Sequence, residues 1–474
     1  MICIKIKSAF FSILLYSTLL ILSSCSSYHT KSVLFQTKVQ QGDIQGALTV
    51  IDKNKFLTKP RNQLLYLFEK GKLAYLTGDH TLSNELFNKA DLLIESNKKA
   101  LGNQILGVLL NPQKETYKGE DFEKVAIHYY KALNYMFLNK YDEAIVEAKR
   151  ITLQLQKINE KYPSGKKNRY KDDAFAHTLQ GLLYEASGNI NDAFISYRNA
   201  VDLYLNNQGT YIGVPLPSQL CQDMLRTAHI MGFDSEVERY EKLLNISYVP
   251  KNNTEGGEAI VFWENGLAPY KDQTYYTFTI LPGNNTGMVT IINEELSLNL
   301  PLPISTGGNG RSDFSDIDIF NVAFPKYVSR QPLYSNAEVQ LDSVSYPFQL
   351  AQNYNEIAFK TLKDRTLREI GKVALRLATK KISEYTLKDQ NSDLGALLGL
   401  FNALTEGADT RNWQSLPNTI FYTRVPLKKG KNNLTVQLKS NQQVINSRNI
   451  NTQGTGKIQF EKIVTPEIST PNRY

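Results

Sequence analysis

The sequence has few of the side chains that enzymes most often use for acid–base and metal chemistry. Its five histidines all lie in the first half of the chain, and residues 251–474 contain none. No histidine pair has a zinc-ligand spacing such as His-Glu-x-x-His, and no Gly-x-Ser-x-Gly nucleophile elbow occurs. The sequence thus predicts no metal and no cofactor, and it excludes histidine-based catalysis from the C-terminal half.

Charge of one sign is not in large excess either. The formal net charge is +8, with basic and acidic residues interleaved along the chain. Such a mildly basic surface permits contact with anionic polymers but does not indicate nucleic-acid binding. A chain of 474 residues is too long for a single hydrophobic core, so we expect two or three domains.

The N-terminus carries Lys5 and Lys7, then an apolar run over residues 9–22, then Leu-Ser-Ser-Cys25. The run is shorter than the roughly 20 residues of a membrane-spanning helix, and its basic start and small-residue end are typical of a secretory signal. The junction resembles the lipobox of bacterial lipoproteins. The resemblance implies cleavage of residues 1–24 and a lipid, including palmitate, on Cys25. The alternative is an ordinary signal peptide with an incidental cysteine.

Cysteine is as scarce as histidine, with three residues in the chain. Cys3 would leave with the signal and Cys25 would carry the lipid, so Cys221 has no partner for an intramolecular disulfide. Cys221 lies in an apolar helical pattern, which favours a buried and unreactive thiol.

After a polar tether, residues 25–32, a helical pattern extends over residues 33–248. Its clearest unit combines Gly181 and Tyr184, a turn at Gly188, and Ala193, Tyr197 and Ala200 on a second helix. The same offsets recur from Gly71, from Ala132 and, weakly, from Leu225. These paired helices resemble the tetratricopeptide repeat, a scaffold for protein interaction. The copies are separated by insertions, so we expect an irregular array; the alternative is a plain helical bundle.

Residues 251–474 change to alternating patterns separated by Pro, Asn and Gly. They predict an α+β domain with mainly antiparallel strands and a helical insertion over residues 355–405. The expected strands are Glu258–Glu264, Tyr275–Leu281, Met288–Ile292, Ile317–Ala323, Ala337–Leu341, Thr419–Val425, Asn433–Leu438, Gln443–Asn449 and Lys457–Ile463.

Four basic residues follow at steps of four in the insertion: Arg368, Lys372, Arg376 and Lys380. At 3.6 residues per turn they form a slanted stripe along one helix. The stripe is a candidate dock for an acidic partner or for phospholipid headgroups. A solvated helix face is the simpler interpretation.

The most distinctive string runs from Glu406 to Pro417 and contains Ala-Asp-Thr-Arg-Asn-Trp-Gln-Ser-Leu-Pro. Together with Trp263–Pro269 and Val322–Pro325, it resembles a family of bacterial envelope lipoproteins. That family couples a repeat-bearing helical region to a C-terminal domain with an Ala-Asp-Thr-Arg-x-Trp-x-x-Leu-Pro segment. The resemblance implies companionship with other outer-membrane lipoproteins, such as activators of peptidoglycan synthases and curli-secretion-type proteins. It supplies no catalytic residues.

Two interpretations of the string remain open. In the structural one, Asp409 and Arg411 form a pair that fixes the segment, and Trp413 fills the core of the C-terminal domain. In the other, the same three residues form a binding epitope. We expect the helical half to have a core of its own.

The leading functional hypothesis is a lipid-anchored envelope scaffold that binds other envelope proteins, not nucleic acid, and is not an enzyme. In a Gram-negative host, Ser26 after the cysteine resembles the signal for the outer membrane, facing the periplasm. The alternative is an envelope enzyme that acts on peptidoglycan or glycan through carboxylates, with Glu264 and Asp409 as first candidates.

Overall fold

A computed structural model describes residues 27–100, 115–160, 170–250, 255–282, 288–295, 297–303, 318–365 and 407–469. In these ranges, helices occupy the chain up to residue 244 and strands predominate after residue 255. The helices are α1 Tyr28–Gln40, α2 Ile44–Lys53, α3 Gln63–Leu76, α4 His80–Ala100, α5 Asp121–Phe137, α6 Tyr141–Glu160, α7 Ala174–Ala186, α8 Ile190–Leu205, α9 Ser218–Ile230 and α10 Asp234–Leu244.

The helices form consecutive pairs that are closed by the same tight turn. Each turn has one residue in the left-handed region: Gly42, Gly78, Asn139, Gly188 and Gly232, with φ between 57° and 84°. In each, the N–H of the next residue donates to a carbonyl five positions earlier, as Asp79 does to Ala74 and Asn189 to Tyr184. This hydrogen bond stops the first helix and reverses the chain. The pairs expected from the sequence are therefore present, together with a further pair, α1 and α2.

Small residues stand where the two helices of a pair approach most closely. A Cβ added at Gly181 would lie 2.3 Å from Cε1 of Tyr197, and one added at Gly71 would lie 2.7 Å from Cε1 of Phe87. Glycine on the first helix thus makes room for the aromatic ring on the second, as the sequence spacing predicts. The helical half is a tetratricopeptide-like array by its own geometry.

A short hairpin, β1 Thr210–Tyr211 and β2 Val214–Pro215, lies between α8 and α9. The other strands of the described residues are β3 Glu258–Asn265, β4 Tyr270–Pro282, β5 Met288–Asn293, β6 Leu298–Pro303, β7 Asp318–Val328, β8 Asn336–Leu341, β9 Val344–Pro347, β10 Gln349–Asn353, β11 Thr419–Pro426, β12 Gly430–Ser440, β13 Gln443–Gly454 and β14 Ile458–Thr465.

Strands β3 to β14 form three four-stranded sheets. Sheet 1 has the order β10-β11-β3-β14, sheet 2 has β13-β12-β8-β9, and sheet 3 has β6-β5-β4-β7. Neighbours are antiparallel except β14, which runs parallel to β3.

Sheet 1 lies between the helical array and sheet 2, because β3 buries side chains on both of its faces. Ile260 and Phe262 belong to the large core that includes the helices. Val261 and Trp263, which alternate with them, belong to a second core shared with sheet 2. The two halves of the chain are therefore joined by one continuous core.

Three expectations differ from the structure. The helical half does not have a core of its own, because its buried side chains pack directly on sheet 1 and on residues 413–416. Residues 28–32 are not part of a tether, since α1 begins at Tyr28, whose side chain is buried. Strands β6, β9 and β10 were not expected; β6 carries two prolines, which argue against a strand, and β9 has only four residues.

The helical insertion is described only over its first turns, residues 354–365. The side chain of Asn353 accepts a hydrogen bond from the first turn, at 3.0 Å from the amide nitrogen of Glu356. The side chain of Asn355 accepts a hydrogen bond from the hydroxyl of Ser329. The basic stripe, Arg368, Lys372, Arg376 and Lys380, lies outside the described residues, as do the signal and Cys25.

Candidate functional site: a segment seated on the helical array

Residues 407–418, here called the inserted segment, run across the helical array from the C-terminal half. Asp409 and Arg411 form a bidentate ion pair within it, with N···O distances of 2.8 and 2.7 Å. The second terminal nitrogen of Arg411 donates to the side chain of Asn62 before α3 and to the carbonyl of Glu115 before α5. One guanidinium therefore shapes the segment and binds it to two loops that precede helices of the array.

Trp413 is fully buried, but its surroundings belong to the helical half. Its ring stacks on Phe68 of α3 at a centroid distance of 4.8 Å and also contacts Phe87 of α4 and Tyr130 of α5. The indole N–H donates to the hydroxyl of Ser415 within the segment, at 3.0 Å. Trp413 thus fills a space between helices, and not the core of the C-terminal domain as expected from the sequence.

Two buried glutamates bind the backbone of the inserted segment. Glu123 of α5 accepts from the N–H of Trp413 at 2.6 Å, and Glu69 of α3 accepts from those of Gln414 and Ser415 at 2.9 and 3.2 Å. Three consecutive backbone donors are therefore satisfied by side chains of the array. Helix α1 adds a further bond, from the N–H of Tyr28 to the hydroxyl of Thr410, at 3.0 Å.

The carboxylates at the segment include one pair whose pKa values are pushed apart. Burial, together with the charge of Glu120, raises the pKa of Glu123 to about 7. For Glu120, burial acts in the same direction, but Arg365 and Lys271 outweigh it and lower the pKa to about 2. Split values of this kind are typical of an acid and base in catalysis. Here, however, Glu123 accepts hydrogen bonds from Tyr117, Glu120 and Trp413, so its oxygens face the protein itself.

Glu264 of β3 forms a second contact between the halves. Its carboxylate pairs with the ammonium of Lys72 on α3, and both side chains are almost fully buried. The Lys72 nitrogen also donates to the hydroxyl of Tyr130 at 3.0 Å and lies 4.5 Å from the ring centre of Tyr75. Burial lowers the pKa of Lys72 to about 8, although Glu264 opposes this shift. Glu264, a candidate catalytic acid in the enzyme hypothesis, is thus neutralised by a buried ion pair.

Arg424 of β11 forms a third contact, at the other end of the array. It is fully buried and binds Glu185 of α7 at 2.9 Å, Asp223 of α9 at 3.1 Å and Glu258 of β3 at 2.5 Å. Arg226 of α9 also pairs with Glu185, at 2.8 Å. Burial tends to raise the pKa of Glu185, but Arg424 and Arg226 lower it to about 2.

These contacts share a location, because they fall mainly on the first helices of the pairs: α1, α3, α5, α7 and α9. We call the surface formed by these helices the inner face. In tetratricopeptide-like arrays such a surface is the usual place for a partner. In this chain it is occupied by the inserted segment and by sheet 1.

The sequence interpretation missed Glu69, Lys72, Glu123 and Arg424, which bind the two halves together. A signal was present, because Glu69 and Lys72 stand on a helix that is otherwise largely apolar, and Arg424 stands in an apolar strand. Charged residues in such positions need a buried partner. The spacing of residues does not show which partner that is. Cys221 is buried as expected, and burial raises the pKa of its thiol to about 12.

The described part of the chain has neither a cluster of three or more metal-ligating side chains nor a helix long and apolar enough to cross a membrane.

No family model matches the chain, and no curated protein does. Solved structures that resemble it include the following three. A crystal structure of MamA protein has 17% identity, covers 45% of this chain and 87% of that chain, and has a TM-score of 0.29. A crystal structure from Podosopora anserina, described as kinesin light chain nearly identical TPR-like repeats, has 14% identity, covers 46% of this chain and 92% of that chain, and has a TM-score of 0.29. The apo form of RapI has 10% identity, with coverages of 46% and 70% and a TM-score of 0.32. The repeat assignment rests on the turns and helix crossings of the chain itself.

Proposed function

We propose that this protein is a lipid-anchored scaffold of a bacterial cell envelope that binds other envelope proteins on its outer surfaces. The main observation behind this proposal is that the chain's own inserted segment occupies the inner face of the array. The array is built for interaction, yet its inner face binds the chain's own segment through Glu69 and Glu123. Partners therefore have to use the second helices of the pairs or the C-terminal sheets.

Exposed apolar side chains on the second helices fit this role. Leu92 of α4 is 67% exposed, and Val146 and Leu153 of α6 are 56% and 50% exposed. The two helices belong to adjacent pairs. Single exposed apolar residues are common on protein surfaces, so these positions serve as probes of a partner surface and do not define one by themselves.

The enzyme alternative finds less support in the geometry. Glycan hydrolysis needs two accessible carboxylates, roughly 5–9 Å apart, on either side of the substrate. Glu264 is 1% exposed and is paired with Lys72, and Asp409 is held by Arg411. Both candidate carboxylates are engaged by cations of this chain, which favours a structural role for each.

A photo-crosslinking experiment in intact cells tests the scaffold role. A photoreactive amino acid would replace Leu92, Val146 or Leu153, with exposed Val344 of β9 as a matched position away from the array. The proposal expects a discrete protein adduct of the same mass from at least one array position, and reciprocal capture of the adducted protein. The scaffold proposal would be contradicted if no position gave a crosslinked adduct and no protein co-purified with the lipoprotein.

Metabolic labelling with a fatty acid tests the anchor. Cys25→Ser should abolish the label and leave an unprocessed or soluble form, because the thioether needs the sulfur. Cys221→Ser is the matched control and should stay labelled, since Cys221 is buried within α9. An acylated Cys25→Ser variant would overturn the lipoprotein proposal, and fractionation into the inner membrane would overturn the outer-membrane location.

A further inference from the structure

A basic pocket of about 480 Å³ opens at the N-terminal end of the helical array. Its lining consists of Lys31, Asn54, Lys55, Phe56, Lys59 and Arg61. Four of these six side chains are basic and none is acidic. A cavity of this composition selects an anionic ligand.

The loop that forms the pocket is held in place by its own hydrogen bonds. The side chain of Asn54 donates to the carbonyl of Lys31 on α1 at 3.0 Å and accepts from the N–H groups of Phe56 and Leu57. The Phe56 ring stacks on Tyr28 at 5.7 Å. The Lys31 ammonium lies 4.6 Å from the centre of the Phe56 ring. The pocket is therefore preformed, so a ligand would not have to order it.

The ammonium groups of Lys55 and Lys59 are not paired with the acidic residues nearest to the pocket in the chain. Asp52 pairs with Lys70 at 2.9 Å, and Asp43 pairs with Lys38 at 2.8 Å. Lys55 and Lys59 are exposed. The Nε atom of Arg61 is buried and has no hydrogen-bond partner among the described residues.

The position of the pocket indicates which anion it meets. Tyr28, the first residue of α1, is three residues after Cys25, and three residues span at most about 11 Å. Leu34 is 62% exposed and Val33 is 46% exposed on the same helix. Leu34 follows Lys31 by three residues and so lies on the same side of α1. Basic and apolar side chains together are typical of a surface that contacts a lipid bilayer.

We propose that this pocket binds the headgroup of an anionic phospholipid in the membrane that holds the Cys25 lipid. The proposal rests on the lipid anchor proposed above. The headgroup phosphate would contact Lys55, Lys59 and Arg61, while Leu34 faces the acyl region. The contact would orient the array with its N-terminal end toward the membrane and its later helix pairs away from it.

Vesicle flotation tests this site without the covalent lipid. The probe is a chain starting at residue 26, which retains every residue that the structure describes, mixed with phosphatidylcholine vesicles with or without phosphatidylglycerol. We expect flotation only with the anionic vesicles. Lys55→Glu/Lys59→Glu should weaken the partition by about tenfold or more, since each basic residue at a membrane surface contributes about 1 kcal/mol. Both residues are exposed, so the thermal midpoint should not change.

A second double variant distinguishes binding at the pocket from a general effect of net charge on flotation. Lys429→Glu/Lys457→Glu changes the charge equally at exposed lysines of the C-terminal half and should float like the parent. An equal loss of flotation in the two double variants would contradict binding at the pocket. So would the absence of flotation in the parent protein. Saturable binding of inorganic phosphate, with no flotation, would assign the pocket to a soluble phosphate and overturn the lipid headgroup. The acyl-labelling and crosslinking tests do not depend on any of these results. The pocket can therefore be ruled out while the lipid anchor and the scaffold role still hold, and the reverse is also true.

Discussion

At the level of single residues, two features stabilise the fold: small side chains at helix crossings and buried charges with a partner. Gly181 shows the first case. It lies against the Tyr197 ring, which in turn donates its hydroxyl hydrogen to Glu185 at 2.9 Å. A methyl group at residue 181 therefore disturbs both the packing of the pair and a residue that binds Arg424.

Gly181→Ala should lower the free energy of unfolding by about 1–3 kcal/mol, because the added Cβ would overpack the crossing. Denaturant unfolding at neutral pH measures the change. Gly71→Ala should act in the same direction through Phe87, whereas Asn199→Ala, on the exposed side of α8, should change the free energy of unfolding by less than about 0.5 kcal/mol. A Gly181→Ala protein as stable as its parent would show that the helices do not cross there.

The Lys72–Glu264 pair shows the second case. Lys72→Met alone leaves a buried carboxylate without its cation and should cost about 3–5 kcal/mol of stability. Lys72→Met/Glu264→Met removes both charges and should recover most of that loss, because an apolar pair of similar size is often neutral relative to a buried ion pair. The free energies of unfolding of Lys72→Met, Glu264→Met and the double variant give the coupling free energy between the two side chains. Losses that simply add would contradict direct pairing of the two side chains.

At the scale of elements, the repeats were predictable from the sequence and their docking was not. A glycine, an aromatic residue and a turn glycine at fixed offsets describe contacts within one helix pair, such as Gly181 with Tyr197, and those offsets are local. The pair α1–α2 lacks the glycine–aromatic spacing, and only its turn residue Gly42 marks it. The nine expected strands were also present, because alternation is a local pattern as well.

The contacts of the inserted segment could not be predicted, because they join residues far apart in the chain. Trp413 meets Glu123 across 290 positions, and Gln414 meets Glu69 across 345. Periodicity shows that a residue is buried, but not against which element. The distinctive string itself was recognisable as a unit. Its role as a ligand of the chain's own array appears only when the helices and strands are placed together.

At the scale of the whole molecule, three described glutamates whose pKa is lowered to about 2 link stability to pH. Burial acts to raise the pKa of Glu120, Glu147 and Glu185, but neighbouring cations lower each to about 2. In the unfolded chain such a group titrates near 4.5. The stability that it contributes is present above that pH and is lost as the pH falls toward 2.

The free energy of unfolding should therefore fall steeply between about pH 4.5 and pH 2. A shift of this size in one carboxylate corresponds to about 3 kcal/mol. Glu185→Gln should be less stable at pH 7 and should show a shallower dependence on pH over that range. Urea unfolding at several pH values measures both. Equal slopes for parent and variant would show that Glu185 is not charged and paired in the folded protein.

The helical array and the inserted segment form one structural unit, and the chain itself occupies the inner face. Hydrogen exchange of backbone amides in Trp413→Ala tests whether the segment stabilises the array. Deleting a buried aromatic ring costs about 3–5 kcal/mol and here removes contacts to Phe68, Phe87 and Tyr130. We expect faster exchange in peptides from α3, α4 and α5, with Leu82→Ala on the exposed side of α4 as an unaffected control. Unchanged exchange in those three helices, with faster exchange confined to the strands, would contradict it.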